Sequence, residues 1–373
     1  MGALPPAFYK LWVAFFGGTW YTIVNLLMQR GFGMAQFRNK KPFGKYTPFI
    51  CFLLLIAGLE FFALAGFLLT GRQETPPVLS VSGEPDTEMP DWLEPAEPAE
   101  KEKPAGEATG PEILAGKRII THGLGAVGER TVLNCLEGFQ EMYAKGVRVF
   151  EADLRLTSDQ KVVLRHDWRK GWQREVRETS IPTLEEFLST PILGKYTPLS
   201  FKDLLLLLEE YPDVCIITDS KFMEAEFVRL QFDAMLADAQ ELGLSYLLDR
   251  FVVQIYSPLM YQVTDSIHHF KGYIYTLYLE GFDGTEDTFR RKAAFCAENG
   301  ILGITIAAEL WDSVYAQIGE EYGLAVYAHT VNDLEQAKML LDSGASGVYT
   351  DSLTPGDLEA PAAAGDDTEK GDV

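Results

Sequence analysis

Three short apolar runs between Lys117 and Trp168 each end in side chains able to work on a phosphate. KRIITH ends in His122, VRVFEADLRLT carries Glu151 and Asp153, and KVVLRHDW carries His166 and Asp167 near its end. Side chains at i and i+2 of a strand share a face, so Glu151 and Asp153 point the same way. Two such carboxylates repel unless a cation sits between them. An all-oxygen set suits a hard ion, Mg²⁺, Ca²⁺ or Mn²⁺, over Zn²⁺. His122 upstream and His166 downstream supply the side chain best suited to acid–base work near neutrality. A fourth run, CIITDSK, repeats the spacing with Asp219 and Lys221. Asp219 then completes the metal site, and Lys221 contacts a phosphate oxygen. Gln254, Tyr256 and Tyr275 lie at the ends of later strands and are candidates for lining the pocket, as is His329. His268 and His269 are neighbours that point apart in extended chain and read as surface residues.

Such a set needs elements that gather strand ends at one place. Strand-like runs begin at 117, 147, 161, 214, 251, 273, 301, 324 and 347, with helical stretches at 134–145, 200–210, 224–243, 287–299 and 333–343. This alternation predicts a parallel sheet, and the span 117–355 is close to the ≈250 residues typical of a (β/α)₈ TIM barrel, whose sites form at the C-terminal ends of the strands. Nine runs for eight strands means that 161–166 pairs outside the closed barrel or that one run is not a strand. A doubly wound open sheet is the alternative, but no GxGxxG follows a strand.

The rest of the 373 residues divides by composition. Residues 47–70 form an apolar run long enough to span a bilayer, interrupted by Glu60. Residues 8–28 are a second candidate, spanning or interfacial. The loop between them carries Arg30, Arg38, Lys40, Lys41 and Lys45, which places it in the cytoplasm and everything after residue 71 on the extracytoplasmic side of the cell membrane. Residues 72–116 are dense in Pro and Glu and read as a disordered acidic tether. The tail 356–373 reads the same way. The net charge of −22 excludes a nucleic-acid partner. Cys51, Cys135, Cys215 and Cys296 match no zinc spacing and read as ordinary buried thiols.

The ordered motifs THGLG, NCLEGF and GVRVFEADLRLTSDQKVVLRHDW, followed by IPTLEEF, TDSK, VVQIYS and VYAHTVNDLEQAKMLLDSGASGVYTD, resemble the glycerophosphodiester phosphodiesterase family over most of residues 117–355. The resemblance implies a TIM barrel with His122 and His166 as the catalytic pair. It implies one divalent cation, Ca²⁺ or Mg²⁺ with Mn²⁺ as a further option, on Glu151, Asp153 and Asp219, and phosphate at Lys221. The implied reaction is hydrolysis of glycerophosphodiesters to glycerol phosphate and an alcohol. Membrane anchoring adds lysophospholipids as substrates.

Three positions depart from the family pattern. Gly123 replaces an arginine after the first histidine, which removes a phosphate contact. The usual Glu-Asn-Thr is represented by Leu133, Asn134 and Cys135, and the usual Glu-x-Lys by Asp219-Ser220-Lys221. His329 stands where the family often has tryptophan. The missing arginine and the Asp-x-Lys run are similar to the sphingomyelinase D branch. A phospholipase of C or D type is therefore the alternative, acting on a lysophospholipid or a sphingomyelin-like substrate. A barrel that binds a phosphorylated ligand without turning it over is another.

Overall fold

The computed structural model of the protein describes residues 100–168 and 181–359. The apolar runs 8–28 and 47–70, the basic loop between them, Cys51, most of the tether and the end of the tail lie outside the described residues. Among the described residues no helix is long and apolar enough to cross a membrane.

Nine strands form: β1 Ile119–Thr121, β2 Val149–Leu156, β3 Val162–Leu164, β4 Cys215–Asp219, β5 Phe251–Ile255, β6 Gly272–Thr276, β7 Gly303–Ala307, β8 Ala325–His329 and β9 Gly347–Thr350. Eight of them pair in parallel in the order β1-β9-β8-β7-β6-β5-β4-β2, and β1 pairs back with β2 to close the barrel. β3 runs antiparallel to the outer half of β2, with Leu154 opposite Leu164. The surplus strand-like run at 161–166 thus pairs outside the barrel.

The helices are α1 Gly110–Leu114, α2 Leu136–Ala144, α3 Leu184–Ser189, α4 Phe201–Glu210, α5 Ala225–Glu241, α6 Pro258–Ile267, α7 Glu286–Glu298, α8 Ser313–Tyr322, α9 Leu334–Asp342 and α10 Pro355–Glu359. Their starts carry recognisable caps. Ser200 and Asp203 form a capping box on α4, Thr183 and Glu186 one on α3, and Ser257 caps α6 ahead of Pro258.

Strands such as FVVQI and GITIA are mostly apolar on both faces because both faces are covered. Alternate residues nonetheless go to different layers. Ile120, Val149, Cys215, Ile217, Val252, Ile274, Tyr327 and Tyr349 fill the barrel. Phe150, Ala152, Ile216, Val253 and Tyr275 belong to the larger core outside it, with the helices. Cys135, Cys215 and Cys296 are buried free thiols.

One boundary differs from the sequence reading. The tether was expected to stay disordered through residue 116, yet its last stretch closes the N-terminal end of the barrel. Ile113 and Leu114 of α1 join the interior cluster. Glu107 forms a buried ion pair with Arg250, whose Nε lies 2.6 Å from Glu107 Oε1. Arg250 also donates to the carbonyl oxygens of Leu208 and Tyr211. Lys101 and Lys103 pair with Glu209 and Asp249 on the same end. The apolar pair in GPEIL has an interior to enter, which outweighs the polar composition around it. At the other end, α10 orders the first residues assigned to the acidic tail.

Candidate active site

At the C-terminal ends of the strands a cavity of about 190 Å³ is lined by His122, Glu151, His166, Asp219, Lys221, Gln254 and His329, together with Thr276, Tyr278, Thr330 and Tyr349. Asp153 is fully buried and level with Asp219 on the neighbouring strand. Register explains the convergence. Val149, Glu151 and Asp153 alternate inward on β2, and Asp153 sits opposite Asp219 of β4.

His122 begins a short 3-10 turn at the end of β1. Its Nδ1 lies 2.7 Å from Asp351 Oδ1. A carboxylate only accepts, so Nδ1 carries a proton in either charge state of the ring, and Nε2 lies 4.0 Å from Glu151 Oε2. Asn332 holds Asp351 in turn, through Nδ2 to Asp351 Oδ2 at 2.7 Å. Burial opposes protonation of His122. The Asp351 hydrogen bond and the charges of Glu151, Asp153 and Asp351 outweigh it, and the pKa rises to about 9. His166 follows β3, with Nδ1 3.0 Å from Asp167 Oδ2 and its carbonyl accepting from Arg155 Nε at 3.0 Å.

The carboxylates are held by different groups. Glu151 Oε2 accepts from the Gly123 backbone N–H at 2.7 Å. Asn134 grips Asp153 twice, Nδ2 to Oδ2 at 2.7 Å and Oδ1 from the Asp153 N–H at 3.0 Å. Asp219 is bound by Lys221 Nζ and by the Tyr278 hydroxyl, which is 3.0 Å from Oδ2. Lys221 Nζ is also 2.8 Å from Asp153 Oδ1. Burial pushes Glu151 up, and the charge of Asp153 adds to it. For Asp153 burial acts the same way, but the Lys221 ammonium outweighs it and holds the group low. Burial alone would lower Lys221, and the Asp153 and Asp219 charges raise it instead.

The donor set fits a hard cation. Glu151 Oε1 is buried without a hydrogen-bond partner, and Asp153 Oδ1 is neutralised only by the Lys221 ammonium 2.8 Å away. Ligand atoms of His122, Glu151 and Asp153 lie within 4.8 Å of one another. Asp219 lines the same cavity but turns to Lys221 and Tyr278.

Lys221 reaches this place by a different route from the one its spacing implied. β4 ends at Asp219, and Lys221 has a left-handed backbone, φ +58°, with its N–H donating to Tyr256 Oη at 3.1 Å. Tyr256 is fully buried and holds the turn without lining the cavity. Gln254 does line it and accepts from the Tyr349 hydroxyl at 3.3 Å. Tyr275 points the other way. Its neighbours Ile274 and Thr276 take the inward positions of β6, and its hydroxyl meets Glu280 and Lys292 outside. His329 is in the cavity, with Nε2 buried and unpartnered. Burial, then the His122 charge, lowers its pKa to about 4. His269 is exposed beside Asp265, and His268 is remote from the site.

Tyr278, Asn332 and Tyr349 were not singled out from the sequence. Tyr278 is 39 % exposed, yet its hydroxyl reaches inward to Asp219. The Tyr two residues past Thr276 was its only signal. Asp351 directly follows β9, and its link to His122 spans 229 residues that no local pattern connects.

With this geometry in place, the comparisons assign a class. Residues 125–354 match the model of the glycerophosphoryl diester phosphodiesterase family. The chain belongs to that family and is a phosphoric diester hydrolase; the match begins just after His122. Two solved structures share the fold. A glycerophosphodiester phosphodiesterase from Parabacteroides distasonis is 15% identical with a TM-score of 0.52, over 65% of this chain and 95% of that one. An Oleispira antarctica phosphodiesterase, in complex with the product sn-glycerol-3-phosphate, is 15% identical with a TM-score of 0.52, over 65% and 97%. Comparison with curated proteins returns no match. The family is divalent-metal dependent, and this cavity holds a candidate site for the ion.

Proposed function

We propose that this chain hydrolyses glycerophosphodiesters to glycerol phosphate and an alcohol, at a membrane surface, with one Ca²⁺ or Mg²⁺ held by Glu151, Asp153 and Asp219. The observation that carries the reading is the meeting of both histidines, Glu151, Asp219 and Lys221 in one cavity of about 190 Å³, with Asp153 ion-paired to Lys221. That volume suits a glycerophosphoryl head with the alcohol projecting out, and the Oleispira relative holds a product of that size. The bound cation supplies stabilisation of negative charge on the phosphoryl oxygens.

The chain's own residues do the rest. Lys221 Nζ, fixed by Asp153 and Asp219, presents a positive charge to a phosphate oxygen. His122, oriented by Asp351, and His166 divide the proton transfers. One takes the proton from the attacking oxygen, and the other delivers one to the leaving alkoxide. Gln254 and His329 line the wall that meets the glycerol or the alcohol. A phospholipase reading of C or D type on the same barrel, with a lysophospholipid or sphingomyelin-like substrate, draws on Gly123, where the family's arginine has no room.

The test is release of glycerol phosphate from glycerophosphocholine and glycerophosphoethanolamine by the full chain. His122→Ala and His166→Ala are each expected to lower turnover by ~10²-fold or more. Undiminished turnover in either variant would remove that histidine from the mechanism. Metal binding without turnover of any phosphodiester would favour the non-catalytic barrel.

A further inference from the structure

The exposed apolar side chains are unevenly placed. Among the described residues ten large apolar side chains are at least 37 % exposed. Leu206 and Met339 lie singly on α4 and α9, and Ile181 and Leu188 lie before and in α3, whereas Met223, Phe227, Leu259, Leu279 and Leu310 fall on neighbouring segments, with Tyr278 beside Leu279. Met223 follows β4 and Phe227 is in the first turn of α5. Leu259 is in the first turn of α6, Leu279 follows β6, and Leu310 ends the turn after β7. β4, β5, β6 and β7 are neighbours in the barrel, so the five form one arc of the catalytic mouth. Phe222 stacks on Phe227 at 5.5 Å and extends it. None of the exposed large apolar residues lies in the loops at the opposite end. Scattered surface leucines are ordinary, but several gathered on one rim mark an interaction site.

We infer that this arc docks the catalytic mouth on a zwitterionic phospholipid surface, an inference that rests on the proposed action at a membrane. Two observations select that occupant. Exposed Glu224, Glu226, Glu309 and Asp312 share the arc, and they repel an anionic surface while tolerating a neutral one. The chain outside the described residues also permits the geometry. It joins the barrel at residue 100, on the end opposite the mouth, and the apolar run 47–70 lies beyond residues 72–99. At ~3.5 Å per residue that stretch reaches on the order of 100 Å. The 17-residue α5, which runs from one end of the barrel to the other, is ~25 Å long. A stretch of that length leaves the mouth free to meet a lipid surface, and a lipid-borne phosphodiester enters the cavity directly from it.

The full chain, reconstituted in phosphatidylcholine vesicles, tests this in two ways. Leu310→Cys and Met339→Cys are each labelled with bimane and challenged with spin-labelled lipid; Met339 is exposed on the outer helix α9. Strong quenching at 310 with little at 339, weakened in phosphatidylglycerol vesicles, is the expected result. Equal quenching at the two sites overturns the inference. So does a disulfide-linked dimer through Leu310→Cys without quenching, which would assign the arc to a second copy.

In the second test, the triple variant Leu259→Ser, Leu279→Ser, Leu310→Ser is expected to lose about tenfold on vesicle-borne lysophosphatidylcholine and to keep its turnover of soluble glycerophosphocholine. Loss on both substrates, or on neither, overturns the inference. If the unsubstituted chain turns over neither substrate, the proposed reaction fails, and quenching alone still decides the docking.

Discussion

At the scale of single residues, Gly123 sets this barrel apart from the family pattern in which arginine follows the first histidine. Its φ of +54° is left-handed, and an added Cβ would lie 2.6 Å from Val132 Cγ1 and 2.8 Å from Val132 Cα. The second contact is backbone and cannot be relieved by a rotamer. The same peptide N–H holds Glu151, so a side chain here disturbs a carboxylate as well. Gly123→Arg is therefore expected to destabilise the fold by on the order of 2–4 kcal/mol and to lower turnover, with no recovered phosphate contact. Urea unfolding and glycerophosphocholine kinetics would check this; a stable, faster variant would contradict it. The sequence showed that the arginine was missing. It could not show that the turn leaves no space for one.

At the scale of elements, much was legible. Runs of Ile and Val located all nine strands, and the i, i+2 rule correctly paired Glu151 with Asp153. Two misreadings have physical causes. Tyr275 was expected to line the pocket, but Ile274 and Thr276 hold the inward positions of β6, and adjacent strand residues face opposite sides. The α1 segment was hidden inside Pro/Glu-rich sequence, because the benefit of burying Ile113 and Leu114 exists only once the barrel offers them an interior. The Glu107–Arg250 pair fastens that plug. Removing one partner leaves a buried charge, so Arg250→Met is expected to cost ~3–5 kcal/mol in denaturant unfolding. A chain beginning at residue 117 should be weakened further by loss of the apolar contacts. Unchanged stability in both would mean that the plug is an ornament of the barrel end.

At the scale of the whole molecule, a cavity rich in ionisable groups makes stability depend on pH. His329 has a folded pKa of about 4 against 6.5 for the free side chain. As pH falls below 6.5 the unfolded chain takes up a proton that the folded chain refuses. The contribution of His329 is thus fully present above pH 6.5 and is lost as pH falls towards 4. His329→Gln should flatten this part of the stability profile by on the order of 2 kcal/mol, discounted for partial exposure. An identical acid limb in the variant would assign the loss to other groups.

The proposed reaction depends on a cation held by Glu151, Asp153 and Asp219 beside the two histidines. Its most direct test is glycerophosphocholine turnover by the full chain after EDTA treatment and on return of Mg²⁺ or Ca²⁺, alongside Glu151→Gln. Activity that is lost with EDTA, restored by one of the ions and absent in Glu151→Gln is the expected result. Turnover that persists in EDTA, or that survives in Glu151→Gln at the same metal concentration, would rule out a cation held by Glu151.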